Sequence, residues 1–264
     1  MLKNNKKVIW ITGASSGIGA ALAKEYSKRD VQLIISARSG DKLLEVKKTC
    51  KNPEQVTIIK LDLAQPETFS EIVKKAWELF DGIDLIINNA GVSQRSLAKD
   101  TKLGVDRKIM DINYIGTVAL SKALLPYFLE RKSGHFAVVT SLVGKFGSPY
   151  RSSYAGAKHA LHGFFDSLRA EVFEDNIDVS LICPGFITTG VSINALTGDG
   201  SKLGTMDEAT EKGMSPEECA RIIAKNLDKK KQEFTVGGKE TYGVLLKRFF
   251  PSLFAKILQK SAVR

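Results

Sequence analysis

The sequence predicts an α/β fold: a single domain on a doubly wound, mostly parallel sheet with helices on both faces. Three observations carry this. Six short runs are apolar at nearly every position, as strands buried on both faces are, where a half-exposed strand would alternate. Each run is followed by a longer stretch whose apolar residues recur at helical spacing. No linker interrupts this alternation before Gly190 in a chain of 264 residues. Parallel neighbours need crossover helices, and right-handed crossovers wind the strands into an open twisted sheet. A closed eight-stranded barrel would need more units than these six.

The elements follow in order. Val8 to Thr12 (VIWIT) is a buried strand, and Gly17 to Arg29 a helix with Ile18, Leu22, Ala23 and Tyr26 on one side. Val31 to Ala37 is the second strand, Asp41 to Cys50 a helix, and Val56 to Leu61 the third strand. Pro66 to Phe80 is a helix that places Pro66 in its first turn, where proline is tolerated. Ile83 to Asn89 is a strand, Val105 to Arg131 one long helix, and His135 to Ser141 the fifth strand. Ser152 to Phe173 is a helix, and Ile177 to Cys183 the sixth strand. The pattern then breaks. Residues 190–214 are rich in Gly, Ser and Thr, and such an insert at the end of a sheet is either a substrate lid or a plain surface loop. Ser215 restarts a helix with capping-box spacing to Glu218.

Composition narrows the class. With 43% hydrophobic and 26% charged residues, disorder and collagen-like structure are excluded. No apolar run approaches the ~20 residues of a membrane-spanning helix. After Met1 comes LKNNKK, and the first apolar run, Val8 to Ile11, is too short for a secretory signal. Cys50, Cys183 and Cys219 are odd in number and widely spaced, which suits reduced thiols; the expectation is a cytoplasmic protein. The net charge is +10, but nine Lys or Arg against three Asp or Glu fall between Asp228 and Arg264, and Lys3, Lys6 and Lys7 add to the other end. The body is near neutral, so no nucleic-acid partner is expected.

The first strand runs into Thr12-Gly-Ala-Ser-Ser-Gly-Ile-Gly19 and then a helix. Gly13, Gly17 and Gly19 permit a tight turn that brings backbone N–H groups of Ser15, Ser16 and Ile18 toward a pyrophosphate, with the positive end of the helix behind them. The same residues also fit G-x-S-x-G, a nucleophile elbow. That reading needs a histidine on a loop at the same sheet edge, and His135, His159 and His162 lie in a strand and a helix; it is set aside. At the end of the second strand, where an acidic residue would accept bonds from a ribose 2′-OH, the chain has Ala37 and Arg38. A guanidinium suits a 2′-phosphate, so NADP(H) is expected over NAD(H).

Tyr154 and Lys158 lie four apart on one helix and share a face. A nearby ammonium favours tyrosinate, so the pair could pass a proton to or from a carbonyl or alcohol oxygen while hydride moves to or from a nicotinamide. Ser141 ends the fifth strand at the edge where ligands bind in such sheets. His159 and His162 share a face, but no third ligand is recognisable; they read as packing residues and no metal is expected.

TGASSGIG at 12–19, NNAG at 88–91, Asn113 in INYIG, Ser141 and Tyr154-x-x-x-Lys158 stand in the order and spacing of the short-chain dehydrogenases/reductases, which this sequence resembles from about Val8 to Thr189. The resemblance implies a Rossmann-like, NAD(P)-dependent oxidoreductase. Tyr154 would be the general acid/base, Lys158 would lower its pKa and hold the nicotinamide ribose, Ser141 would bind the substrate oxygen, and Asn113 would hold a water in a proton relay. Asp62 and Leu63 would lie near the adenine, Asn89, Ala90 and Gly91 would floor the cofactor site, and the Pro184–Thr189 segment, with Gly185 and Ile187, would touch the nicotinamide carboxamide. Two departures stand out: Tyr154-Ala-Gly-Ala-Lys158 replaces the common Y-x-A-S-K, and the basic residue often found in the glycine turn of NADP-preferring members is missing, leaving that preference to Arg38.

Residues 91–122 resemble the branch that holds dehydrogenase/reductase member 7 and lies close to the hydroxysteroid dehydrogenases. That branch implies a small apolar carbonyl or alcohol substrate, steroid, retinoid or lipid-like, and a homodimer or homotetramer pairing through the helices at 105–131 and 152–173. The branch usually carries an N-terminal membrane anchor, and none is read here. A 3-oxoacyl thioester reductase is the alternative enzyme, although the near-neutral body suits an acidic carrier poorly. A non-catalytic NADPH-binding protein is the alternative of another class, and it has no chemical need for Asn113, Ser141, Tyr154 and Lys158 together. The tail at 242–264 splits at Pro251 into two amphipathic helices flanked by Lys247, Arg248, Lys256 and Lys260. It either docks on the protein or makes peripheral contact with an anionic membrane surface.

Overall fold

The computed structural model describes residues 6–260. Seven strands, β1 (Lys7–Thr12), β2 (Val31–Ala37), β3 (Val56–Lys60), β4 (Leu85–Asn88), β5 (Gly134–Val139), β6 (Ile177–Pro184) and β7 (Glu233–Val236), form one all-parallel sheet in the order 3-2-1-4-5-6-7. The order reverses at β1, which lies between β2 and β4: Ile11 pairs with Ile35 on one side and with Ile87 on the other. At such a reversal the connections leave in opposite directions, and a crevice opens beyond the carboxyl ends of the strands.

Period-two alternation sends successive residues of β1 to opposite faces. Ile9 and Ile11 pack with Leu22, Tyr26, Leu43 and Ile223, from α1 (Gly17–Tyr26), α2 (Gly40–Lys48) and the later helix α8 (Pro216–Asp228). Val8 and Trp10 pack with Val73, Leu124, Phe128 and Phe165, from α3 (Phe69–Glu78), α5 (Gly116–Arg131) and α6 (Ser152–Glu171). Both faces of β1 are therefore buried, which is why its sequence shows no alternation. The Trp10 indole donates to Ser36 Oγ at 2.8 Å, so this wholly buried ring leaves no donor unpaired.

Several features depart from the expected elements. The long helix expected at 105–131 is α4 (Leu103–Met110), a π-helical turn over Asp111–Ile115, and α5. The fifth strand stops at Val139, so Ser141 sits beyond its end and caps a short 3-10 turn, accepting from Val143 N at 3.3 Å. The third helix begins as a 3-10 turn over Pro66–Thr68. The seventh strand has no counterpart among the expected elements. In the insert, α7 (Glu208–Glu211) is a single turn capped by Asp207. The tail forms α9 (Tyr242–Phe249) and α10 (Pro251–Lys260), split at Pro251 as expected; residues 261–264 of it, and Lys3 at the other end, lie outside the described residues. No helix among the described residues is long and apolar enough to cross a membrane.

Candidate active site

The glycine turn is built by close approach. Gly13 has a φ of 65°, and a Cβ there would stand 2.7 Å from Ala90 Cα. Gly17, with a φ of 54°, lies under Thr189, whose Cγ2 would be 3.1 Å from an added Cβ. Thr12 Oγ1 accepts from Asn89 N at 3.0 Å and Ala90 N at 3.2 Å, while Asn89 Nδ2 donates to Thr12 O at 3.0 Å and Gly13 O at 3.3 Å. The NNAG segment thus braces the turn from behind. Ser16 occupies the N-cap of α1 without a capping bond from its side chain, and Ser15 and Ile18 are at least partly exposed beside it. This backbone cradle, closed to any side chain at Gly13, fits a pyrophosphate.

At the other end of the cradle, a surface depression is lined by Arg38, Lys60, Leu61, Asp62, Gln65 and Ile72. The Lys60 side chain lies across Gly40, where an added Cβ would stand 2.7 Å from Cε and 3.5 Å from Nζ. Two cations, Arg38 and Lys60, therefore stand together in this depression. Asp62 is partly exposed and turns its Oδ1 to Ala64 N at 3.1 Å. Leu63 is buried below, against Gly116.

The tyrosine–lysine pair lies where β4, β5 and α6 end or begin. Lys158 is 4% exposed; its Nζ donates to Val139 O at 2.8 Å and stands 5.7 Å from the centre of the Tyr154 ring. Burial pulls this ammonium down to a pKa of about 8, while the nearby Cys183 thiol works the other way. Tyr154 is partly exposed. Burial pushes its phenol above the ordinary value, and the opposing influences are the Arg95 charge, the nearby Ser141 hydroxyl and the Arg151 charge. Sequence reasoning did not single out either arginine. Gly91 lies beside both Asn113 and Lys158: an added Cβ would be 2.9 Å from Asn113 Oδ1 and 3.8 Å from Lys158 Nζ. Asn113, in the π turn and fully buried, uses both ends of its amide on Val92, accepting from N and donating to O at 2.8 Å each. It pins the chain that leaves β4.

The segment after β6 is held from outside. Gly185 N donates to Val236 O at 2.8 Å, and Phe186 N to Glu240 Oε1 at 3.1 Å. Ile187 is buried and packs in the α1 face, and Pro184 closes β6. The insert at 190–214 is strapped to the chain after β4: Leu196 N donates to Ser93 O and Arg95 N to Leu196 O, at 2.9 and 2.8 Å. Gln94, wholly buried, accepts from Ser153 N at 2.8 Å and Tyr154 N at 3.3 Å, satisfying first-turn donors of the helix that carries the phenol. His162 Nε2 pairs with Thr140 Oγ1 at 3.1 Å, and His159 Nδ1 with Ala155 O at 2.8 Å. Among the described residues no cluster of three or more His, Cys, Asp or Glu side chains is placed to hold a metal ion.

The structure therefore gathers Asn113, Ser141, Tyr154, Lys158 and Gly91 at one mouth and the glycine turn, Arg38 and Asp62 along the adjoining edge. Gln94, Arg95, Arg151, Asp207, Lys60 and Glu240 were missed. Only Lys60 had a visible signal, as a cation ending a strand two residues before Asp62.

Comparison with known proteins gives the same picture. Residues 7–199 match the short chain dehydrogenase family. A dehydrogenase/reductase SDR family protein 7-like from Drosophila melanogaster is 41% identical over 264 residues, covering 98% of this chain and 81% of its own. A dehydrogenase/reductase SDR family member 7B from Mus musculus is 39% identical over 261 residues, covering 97% and 81%. Among solved structures, a short-chain dehydrogenase from Streptomyces avermitilis superposes with a TM-score of 0.83 at 25% identity, covering 97% of this chain and 96% of its own. An alcohol dehydrogenase from Thermococcus sibiricus, complexed with 5-hydroxy-NADP, gives 0.74 at 26% identity over 89% and 97%. A short-chain dehydrogenase/reductase from Burkholderia phymatum in complex with NAD shares the fold, with a TM-score of 0.83 at 19% identity over 96% of each chain. With a braced glycine turn at the switch of its sheet and a tyrosine–lysine pair beside it, this chain belongs to the short-chain dehydrogenases/reductases, a family of oxidoreductases.

Proposed function

We propose that the protein transfers a hydride between NADP(H), preferred over NAD(H), and the carbonyl or secondary alcohol carbon of a small apolar substrate, steroid, retinoid or lipid-like. The observation that carries this reading is the partly exposed Tyr154 with the Ser141 hydroxyl near its phenol and Lys158 buried one turn along the same helix. The bound nicotinamide would supply or accept the hydride. The chain's own residues move the proton. Tyr154 Oη gives it to the substrate oxygen in reduction and takes it in oxidation, and Ser141 Oγ holds that oxygen. Lys158 would hold the nicotinamide ribose, and Asn113, whose side-chain amide is taken up by Val92, would meet a relay water through its main-chain carbonyl, which also accepts the Thr117 hydroxyl at 2.9 Å.

The preference for NADP(H) is supported by Arg38 and Lys60 together on the adenine side. An apolar substrate is supported by Val191 and Ile193, which stand 40% and 38% exposed on the insert. Pairing of copies through the two long helices is supported by Leu103, Ile115 and Phe173, exposed at 63%, 45% and 80% on or beside them. Tyr154→Phe is expected to abolish turnover while NADPH binding, read by its fluorescence, stays intact; a mutant with full rate removes the mechanism. The substrate class is read from NADPH oxidation with steroid, retinal, quinone and acetoacetyl-CoA carbonyls.

The tail docks at one point and leaves other apolar side chains exposed. Phe254 is buried edge-on against Phe146 at 4.9 Å, which docks α10 beside the loop that follows Ser141. Leu245, Phe249, Phe250, Leu253 and Ile257 remain 48–65% exposed. No acidic residue lies between 242 and 264. This supports peripheral contact with an anionic lipid surface, to which each cation adds about 1 kcal/mol. Co-sedimentation with phosphatidylserine vesicles is expected to be lost on deleting residues 242–264; sedimentation unchanged by the deletion removes the lipid reading.

A further inference from the structure

Three charged side chains from distant parts of the sequence meet at the amino end of the helix that carries the phenol. Asp207, in the insert, places Oδ2 2.6 Å from Arg95 Nη2, 3.1 Å from Arg95 Nε and 3.8 Å from Arg151 Nη2. The carboxylate is only 3% exposed and each guanidinium side chain 6%. The carboxylate also accepts from Ser192 Oγ at 2.5 Å and Thr210 N at 2.9 Å. Burial alone would raise the Asp207 carboxyl, but the bonds from Ser192, Thr210 and Arg95 overcome it and hold the group ionised well below the usual carboxylate range.

Two guanidiniums thus share one carboxylate, and the cluster keeps one surplus positive charge where solvent screens it little. Buried charge is costly unless matched, and an unmatched charge in a poorly screened interior acts strongly on the groups around it. The surplus lies at the amino end of α6, where Arg151 precedes Tyr154 by one turn. The groups around the phenol are Arg95 from the segment after β4, Arg151 and Lys158 from α6 and Ser141 from beyond β5, with Asp207 of the insert behind the two arginines. Asp106 of α4 is engaged with the Ser153 hydroxyl next door.

We propose that Arg95 and Arg151 are positioning residues for proton transfer by Tyr154, their surplus charge standing at the amino end of the helix that carries the phenol, and that Asp207 ties that charge to the seating of the insert. The proposal rests on Tyr154 being the proton-transfer group. Its signature is a pair of opposite shifts. Neutralising Arg151 leaves a balanced Arg95–Asp207 pair, so the phenol holds its proton more tightly. Neutralising Asp207 leaves two unmatched cations, so it holds its proton less tightly. A brace without electrostatic action would slow both variants and shift neither titration.

The test uses the full chain and reads tyrosinate by ultraviolet difference absorbance, with Tyr154→Phe as the blank that isolates this phenol. The pH profile of kcat/KM for NADP⁺-dependent oxidation of an apolar secondary alcohol is read in parallel. Arg151→Gln is expected to raise the midpoint by about one pH unit, Arg151→Lys to restore it, and Asp207→Asn to lower it by about one. Limited proteolysis within 190–214 is expected to quicken in Asp207→Asn and not in Arg151→Gln. Asp207→Asn strands two buried cations, so its folding is checked by thermal unfolding; should it not fold, the two Arg151 variants decide alone. An unmoved midpoint in Arg151→Gln, or equal movement in Arg151→Gln and Arg151→Lys, overturns the proposal. Full turnover by Tyr154→Phe would instead overturn the functional reading beneath it.

Discussion

Replacing Arg38 by Asp is expected to reverse the cofactor preference, and the structure sets the size of the effect. Arg38 and Lys60 are both exposed and line one depression together with Asp62. An exposed ion pair contributes at most about 1 kcal/mol, so losing the guanidinium alone costs NADPH only roughly fivefold. The new carboxylate adds repulsion: a phosphate of about −1.5 to −2 charge a few ångströms away costs a further ~1.5 kcal/mol in water-like surroundings. The sum, about 2.5 kcal/mol, is a loss of roughly 70-fold in kcat/KM for NADPH. With NADH the same carboxylate can accept bonds from the ribose hydroxyls, worth about 1 kcal/mol, or a fivefold gain. Lys60→Gln, which removes a charge and adds none, is expected to cost NADPH about fivefold and leave NADH unchanged. The assay is kcat/KM with each cofactor, at low and high salt. Salt separates this account from a change of shape, because the wild-type preference should shrink as ionic strength rises. Equal losses with both cofactors in either variant would show that these cations shape the cleft and do not meet a phosphate, and the reasoning would fail.

Gly19→Ala drives a Cβ to 2.6 Å from Asn89 Nδ2 and onto the Gly13 carbonyl. Overpacking of about 1–3 kcal/mol is expected there, a fall in Tm of roughly 2–10 °C, together with loss of NADPH binding by fluorescence titration; a mutant with native affinity would mean the turn is not the cradle. His135 is buried with its Nε2 2.8 Å from Ser180 Oγ, and burial pulls its pKa down to about 4 from an ordinary 6.5. The unfolded chain therefore binds the proton first as pH falls: stability is whole above about pH 6.5 and drops by about 3 kcal/mol on the way to pH 4. His135→Gln should flatten that part of the urea-denaturation profile, and an unaltered slope would refute the assignment to this side chain.

The sheet was legible because burial on both faces leaves its mark on consecutive residues. In β2, for example, Leu33, Ile34 and Ile35 are all wholly buried, two of them against the α1 face and Ile34 against the other. The seventh strand escaped for the converse reason. It has four residues, pairs only with β6, and exposes Glu233 and Thr235, so neither length nor hydrophobicity marks it. The π turn escaped because the apolar rhythm runs through it: Ile109 and Ile112 are buried before and within it, and Leu120 after it. One extra residue in a turn leaves no compositional trace. The tyrosine, lysine and serine of the candidate site were legible from local spacing and resemblance. Arg95 and Asp207 were not, since their pairing spans 112 positions and neither stands in a pattern that predicts the other.

What decides how the phenol works is a balance the motif alone does not contain. One helical turn separates Tyr154 from Lys158, yet the ammonium is spent on Val139 O and is itself weakened by burial. Burial raises the phenol and two arginines oppose it. A phenol still protonated above neutral pH is ready to act as an acid, so carbonyl reduction should hold its rate across neutral pH. Alcohol oxidation needs the tyrosinate and should climb with pH until the phenol has titrated. On the proposed role of Tyr154, the two directions of one reaction place opposite demands on one proton, and the side chains that oppose its burial come from the chain after β4 and the start of α6, tied through Asp207 to the insert. Proton affinity and access to the crevice are built from the same contacts, so a change in the insert is expected to alter the pH profile as well as the choice of substrate.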